Sequence, residues 1–156
     1  MAAFDQYDEQ DFEAVRHLLP ESVMAMVTLI GAEPTLQLLR AYGGTTFPVS
    51  RNIKKAGQAT HAALAEVVGD KAADKLCTAF GHQQKLWLPR CDKAVRELRH
   101  RKIRRQFDEL TGKDGMTAFW AVQNLAGAHR LTDRTVWDIL KETDQTAPED
   151  VQDSLF

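Results

Sequence analysis

At 156 residues with 44% hydrophobic side chains, the chain can bury one core or two small ones. It contains no apolar run of membrane-spanning length, Met1 is followed by acidic sequence rather than a secretory signal, and Cys77 and Cys91 have no CxxC or Cys/His cluster beside them. These features favour a soluble cytoplasmic chain with two thiols over a membrane protein, a secreted disulfide scaffold or a zinc module. The net charge of −2 conceals a segregation: residues 1–50 carry −5, 51–84 carry +2, 85–141 carry +6 and 142–156 carry −5.

Residues 1–21 are acidic and poorly periodic and read as a mobile arm, whose Phe4, Tyr7 and Phe12 could dock on a partner. A helix is expected from about Ser22 to Ile30 and a second from Pro34 to Tyr42, proline being suited to a first helical turn. Gly43-Gly44 ends the second helix, and Thr45-Thr-Phe-Pro-Val49 reads as extended.

The same arrangement recurs 38 residues later. Ala25 corresponds to Ala63, Leu29-Ile30-Gly31 to Val67-Val68-Gly69, Leu38 to Leu76, and Ala41-Tyr42-Gly43 to Ala79-Phe80-Gly81. Each copy runs into a short extended segment closing at or near a proline, Thr46-Phe47-Pro48 and Lys85-Leu86-Trp87-Leu88-Pro89. The pattern reads as an internal duplication of a helix, helix, glycine, strand unit over residues 22–92. Two isolated strands this short are marginal, so they are expected to pair with each other or with a second chain, with Phe47 and Trp87 in one core.

After Pro89 the chain turns helical, with Val95, Leu98, Ile103 and Phe107 roughly on one face. The other positions carry Arg90, Lys93, Arg96, Arg99, His100, Arg101, Lys102, Arg104 and Arg105. Such a stripe is either a solvated helix face or a phosphate-binding surface, and the acids Asp92 and Glu97 are too few to neutralise it. Arg96, Arg99, Arg101, Lys102, Arg104 and Arg105 are the candidate phosphate contacts. Lys113-Asp114-Gly115 turns the chain into a helix over about Thr117 to Ala128, in which Phe119, Trp120 and Leu125 read as core.

Residues 122–141 have the spacing of a helix-turn-helix. Ala126 falls where two helices cross, Leu131 sits in the turn, and Val136 and Ile139 lie on the inner face of the second helix. Thr132 is placed to cap that helix, with Asp133 beside the positive end of its dipole. The turn position that usually holds Gly is Arg130, where a left-handed backbone costs a non-Gly residue about 1 kcal/mol. Arg134, Thr135, Asp138 and Lys141 are left on the outer face, and such side chains contact bases and phosphates in a major groove. The bland alternative is a helical hairpin whose apolar positions are only core. The basic helix and this motif form a segment over 93–142, and residues 143–156 read as an acidic disordered tail. The expected fold is mainly α with a small β element: a helical dimerisation domain with short paired strands, then a C-terminal helix-turn-helix domain.

In this order, Phe80-Gly81, Leu86-Trp87-Leu88-Pro89-Arg90, the Arg-rich Arg99-His-Arg-Lys-Ile103 and Thr135-Val136-Trp137 resemble the Mor/C family of transcription activators of Mu-like bacteriophages. The resemblance covers roughly residues 60–141. It implies a sequence-specific activator that binds double-stranded DNA as a homodimer upstream of a promoter and recruits host RNA polymerase, in the cytoplasm and on the nucleoid of a bacterial host. By the same resemblance, Lys85 and Trp87 become candidates for dimer packing or DNA contact beside the strand, and Trp137 joins Arg134 and Thr135 on the recognition helix; Phe47 and Pro89, on the two extended segments, are added as candidates for the same strand surface. The duplicated copies could instead form within one chain the sheet that family dimers form between chains.

No catalytic constellation is visible. His17, His61, His82, His100 and His129 are scattered without ligand spacing, and neither a phosphate-cradling glycine loop nor a nucleophile motif is present. No enzyme activity, cofactor, metal or small-molecule substrate is expected. The rival to the activator is a regulator that acts only through protein contacts, its acidic tail competing for the basic stripe.

Overall fold

The computed structural model describes residues 4–49 and 55–146. The chain divides inside its sixth helix into two compact units, Met1–Val95 and Arg96–Phe156.

Proline and glycine punctuate the first unit. Helix α1 (Glu9–Ala14) starts in a capping box, in which the Asp8 carboxylate accepts the Asp11 N–H at 2.8 Å and Asp11 accepts the Asp8 N–H at 3.1 Å. A single 3-10 turn (Arg16–Leu18) leads to α2 (Glu21–Ile30) and α3 (Ala32–Tyr42), with Pro34 in the first turn of α3. Strand β1 (Thr45–Pro48) precedes α4 (Lys55–Val68) and α5 (Asp70–Phe80), and a 3-10 turn (Gly81–Gln83) leads into β2 (Lys85–Leu88). Between α3 and β1 the Gly43 N–H bonds Leu39 O at 2.8 Å and the Gly44 N–H bonds Leu88 O at 2.6 Å. Gly44 has φ +86°, and a Cβ on Gly43 would collide with the Leu39 carbonyl oxygen. This turn therefore requires its two glycines.

The N-terminal segment is not a mobile arm from Phe4 onward. Phe4 and Phe12 are fully buried, stacked edge to face with centroids 5.4 Å apart. Arg40 of α3 donates to Phe4 O at 3.1 Å through Nε and to Tyr7 O through Nη2. Two buried aromatics and a half-buried guanidinium hold down a stretch whose acidic composition suggests solvent.

Strands β1 and β2 pair antiparallel within the chain, with Thr46 opposite Trp87 and Phe47 opposite Leu86. Residues directly opposite share a face, so Phe47 and Leu86 point into the core while Trp87 stands on the outer face and is 54% exposed. Phe47 and Trp87 are on paired strands but not in one core. The core here is Val23, Met26, Leu36, Leu38, Leu39, Leu64, Leu76 and Leu88 with the aromatics above.

In the second unit, α6 (Asp92–Asp108) passes into one π-helical turn (Glu109–Lys113), followed by α7 (Ala118–His129) and α8 (Asp133–Lys141). Ile103, Val122, Leu125, Val136 and Ile139 form its core, with Phe107, Leu110, Ala126, Leu131 and Leu140 packed around it. Phe119 and Trp120 lie outside it, 58% and 59% exposed, against the expectation that they are core. The helical period explains this: Ala121, Val122 and Leu125 make the inward stripe of α7, and positions 119 and 120 fall on the other side. The acidic tail expected over 143–156 lies outside the described residues from 147 on, and residues 143–146 belong to no helix or strand. The protein is mainly α-helical with one small two-stranded antiparallel sheet.

Candidate nucleic-acid interface

Local chemistry fixes the bend between α7 and α8. Thr117 caps α7 by accepting the Trp120 N–H, and Thr132 caps α8 by accepting the Thr135 N–H at 3.1 Å. Arg130 adopts the left-handed conformation its position demands, φ 55° and ψ 46°, and the Leu131 N–H closes back on Ala126 O at 2.9 Å. Val136 and Ile139 anchor the inner face of α8. This leaves Asp133, Arg134, Trp137, Asp138 and Lys141 exposed along its outer face.

The outer positions differ in freedom. Asp138 and Lys141 are exposed and 3.9 Å apart, a pairing too solvated to hold either firmly. Thr135 is half-buried, and its hydroxyl lies 2.8 Å from Thr132 Oγ1 inside the cap. Trp137 is 39% exposed and rests edge to face on Phe107, centroids 6.4 Å apart.

The basic helix α6 also sorts into two sets. Arg96 and Arg105 are exposed, and Arg99 and Lys102 are half-buried. The Arg99 Nε has no hydrogen-bond partner among the described residues. Arg101 and Arg104 are turned inward to Glu97, whose side chain is 2% exposed. Glu97 Oε1 accepts Arg101 Nε at 3.2 Å, Arg104 Nη2 at 3.2 Å and the Gln145 N–H at 2.9 Å. Asp144 binds Arg104 at 2.9 Å, and Arg101 Nη2 donates to Gln145 O. Arg104 Nη1 also donates to Ile139 O at 3.2 Å, which ties α6 to α8. Two cations expected to face phosphate thus compensate a buried carboxylate and clasp the segment after α8. Sequence reasoning missed this cluster, although Glu97, Arg101 and Arg104 at i, i+4 and i+7 were its signal.

Lys85 and Trp87 are exposed on the outer face of the β1–β2 ribbon, Phe47 is in the core of the first unit, and Pro89 is half-buried where β2 ends. The four strand candidates are therefore not one surface.

Burial lowers the pKa of His100, helped by the adjacent Arg99, and lowers that of His129, helped by Lys102 and Arg99. His129 Nε2 lies 2.7 Å from Gln106 Oε1. A histidine held below its ordinary value of about 6.5 takes up a proton less readily when folded than when unfolded. Stability is therefore full above about pH 6.5 and falls on acidification below it, which is the sign linkage requires when the unfolded state binds more protons. Melting of the second unit between pH 5 and 8 should show this slope, flattened by His129→Gln. Burial and the neighbouring Asp92 push the Cys91 thiol up to about 12. Neither Cys91 nor Cys77 is in a disulfide, and both are buried.

Among the described residues, no helix is long and apolar enough to cross a membrane, and no group of His, Cys, Asp and Glu is placed to hold a metal ion. Fold and charge define a helical module that presents a cation-bearing helix face over a small apolar core. Residues 36–155, well over half of the chain, match the family model of the Mor transcription activator family, and the chain belongs to that family. No curated protein and no solved structure gave a significant match. The family assignment agrees with the resemblance read from the Trp87 strand and the Arg-rich helix, and it makes the protein a member of a transcription activator family.

Proposed function

We propose that the protein is a sequence-specific DNA-binding activator, in which α7 and α8 form a helix-turn-helix and α8 enters the major groove. The observation that carries this reading is the outer face of α8, where Arg134, Asp138 and Lys141 stand exposed while Val136 and Ile139 fix the helix from behind. Arg134 and Lys141 have the donors that guanine O6 and N7 accept, Asp138 can accept from cytosine N4, and Trp137 and Thr135 shape the edges of that surface. Arg96, Arg99, Lys102 and Arg105 supply phosphate contacts, with Arg101 and Arg104 mainly structural. Recruitment of the host RNA polymerase on the bacterial nucleoid completes the activator reading.

Selection from random duplex DNA tests it. The wild type should enrich a motif, and Arg134→Ala should lose about 1–3 kcal/mol at that motif with relaxed choice at one base pair. Equal loss on all sequences would place Arg134 on phosphate, and no enrichment by the wild type would remove base reading by α8. A specific observation favours a second reading. Asp144 and Gln145 already occupy Arg101 and Arg104, as an acidic segment would in a regulator working through protein contacts alone. That reading gains if the wild type enriches nothing.

A further inference from the structure

The first unit is built twice, and the two copies embrace each other. Helices α3 and α5 are both eleven residues long and start 38 positions apart. Their N-caps share one unusual backbone, φ 94° and ψ 165° at Gly31 and φ 87° and ψ 164° at Gly69. Equivalent positions are buried in both copies: Met26 and Leu64, Thr35 and Ala73, Leu38 and Leu76, Leu39 and Cys77. Helix α2 packs on α3 and also on α5, and α4 packs on α5 and also on α3. Element one of each copy thus meets element two of the other, the reciprocity that a two-fold axis imposes on identical partners. The strands that end the copies complete it, since β1 and β2 pair antiparallel and with each other. Among the described residues, only the second copy leads into a basic helix and an α7–α8 pair.

We infer that these copies are a two-fold interface closed within one chain, so that the protein meets DNA as a monomer with a single α8 and takes an unsymmetrical site rather than an inverted repeat. The inference rests on the proposed reading of DNA by α8, and it departs from the homodimer implied by the family resemblance. An isologous interface needs the same patch open on two molecules, and here each copy covers the patch of the other. A second chain could enter this interface only by exchanging copies. The exchange would make the same contacts again while losing the freedom of a separate molecule. Six positions of sequence separate the end of β1 from the start of α4, and partners joined this closely meet at an effective concentration on the order of millimolar, so exchange is disfavoured at micromolar protein.

Sedimentation equilibrium of the full chain across micromolar concentrations, followed by native mass measurement on the duplex selected above, tests both halves. The expected results are a free mass of 17.5 kDa at every concentration, one chain per duplex, and a selected motif without inverted repetition. A species of twice that mass, or a two-fold motif holding two chains, would overturn the inference. A monomer that selects no motif would instead overturn DNA reading, and with it the unsymmetrical site, while the mass would still support an interface closed within one chain.

Discussion

Glu97→Ala is expected to destabilise the second unit by about 3 kcal/mol or more, toward the lower end of the 3–5 kcal/mol typical of breaking a buried ion pair. The substitution removes the carboxylate that Arg101, Arg104 and the Gln145 amide share, and both guanidinia are themselves mostly buried, 18% and 13% exposed. Asp144 remains near both arginines, at 4.0 Å from Arg101 and 2.9 Å from Arg104, which limits the loss. In a domain this small, each kcal/mol moves the midpoint by about 4–8 °C, so Tm should fall by roughly 12 °C or more. Two units need not melt together, so the probe belongs in the second, where Trp137 fluorescence reports its contact with Phe107. Glu97→Gln keeps the shape and one acceptor and should fall between. If Glu97→Ala melts with the wild type, the cluster is not structural and Arg101 and Arg104 return to the phosphate-binding set.

The second large effect is in DNA binding. If α6 and α8 together engage about six to ten phosphates, affinity for the selected duplex should drop about 10³- to 10⁵-fold between 50 and 200 mM salt, through counterion release. The contributions should be unequal along α6. Arg96→Ala and Arg105→Ala, at exposed positions, should each lower the salt slope by about one and leave the melting temperature nearly unchanged. Arg101→Ala should lower the melting temperature, because it strips a partner from Glu97. A flat salt profile would leave the cationic face of α6 as a solvated surface and favour the protein-contact regulator.

These two results separate what composition can suggest from what packing decides. In the sequence, Arg96, Arg101 and Arg105 are equivalent members of one stripe. The spacing of Arg101 and Arg104 one and two turns after Glu97 hints at the difference, but only the fold decides it, because Glu97 must first be removed from water before it has to find donors. The same holds for aromatic residues. Phe119, Trp120 and Trp87 carry strong apolar character, yet the helical and strand periods turn them outward, whereas Phe4 and Phe12 are buried in a stretch that looked solvated.

By itself the sequence determined the local features of this protein. Pro34, Gly43-Gly44 and Gly69 mark the helix ends, Thr132 caps α8, Arg130 takes the left-handed turn, the 38-residue repeat duplicates the helix-helix-strand unit, and the strand and basic-helix motifs point to the Mor family. Each depends on residues close in the chain, where backbone sterics, missing donors and capping hydroxyls act without help from distant segments. Tertiary structure decided the rest: the docking of Phe4 and Phe12 under Arg40, the pairing of β1 with β2 inside one chain, and the withdrawal of Arg101 and Arg104 to Glu97 and Asp144. Those outcomes join residues some 36 to 48 positions apart, or choose among chemically equivalent neighbours, and burial and charge compensation fix them only once the helices have packed.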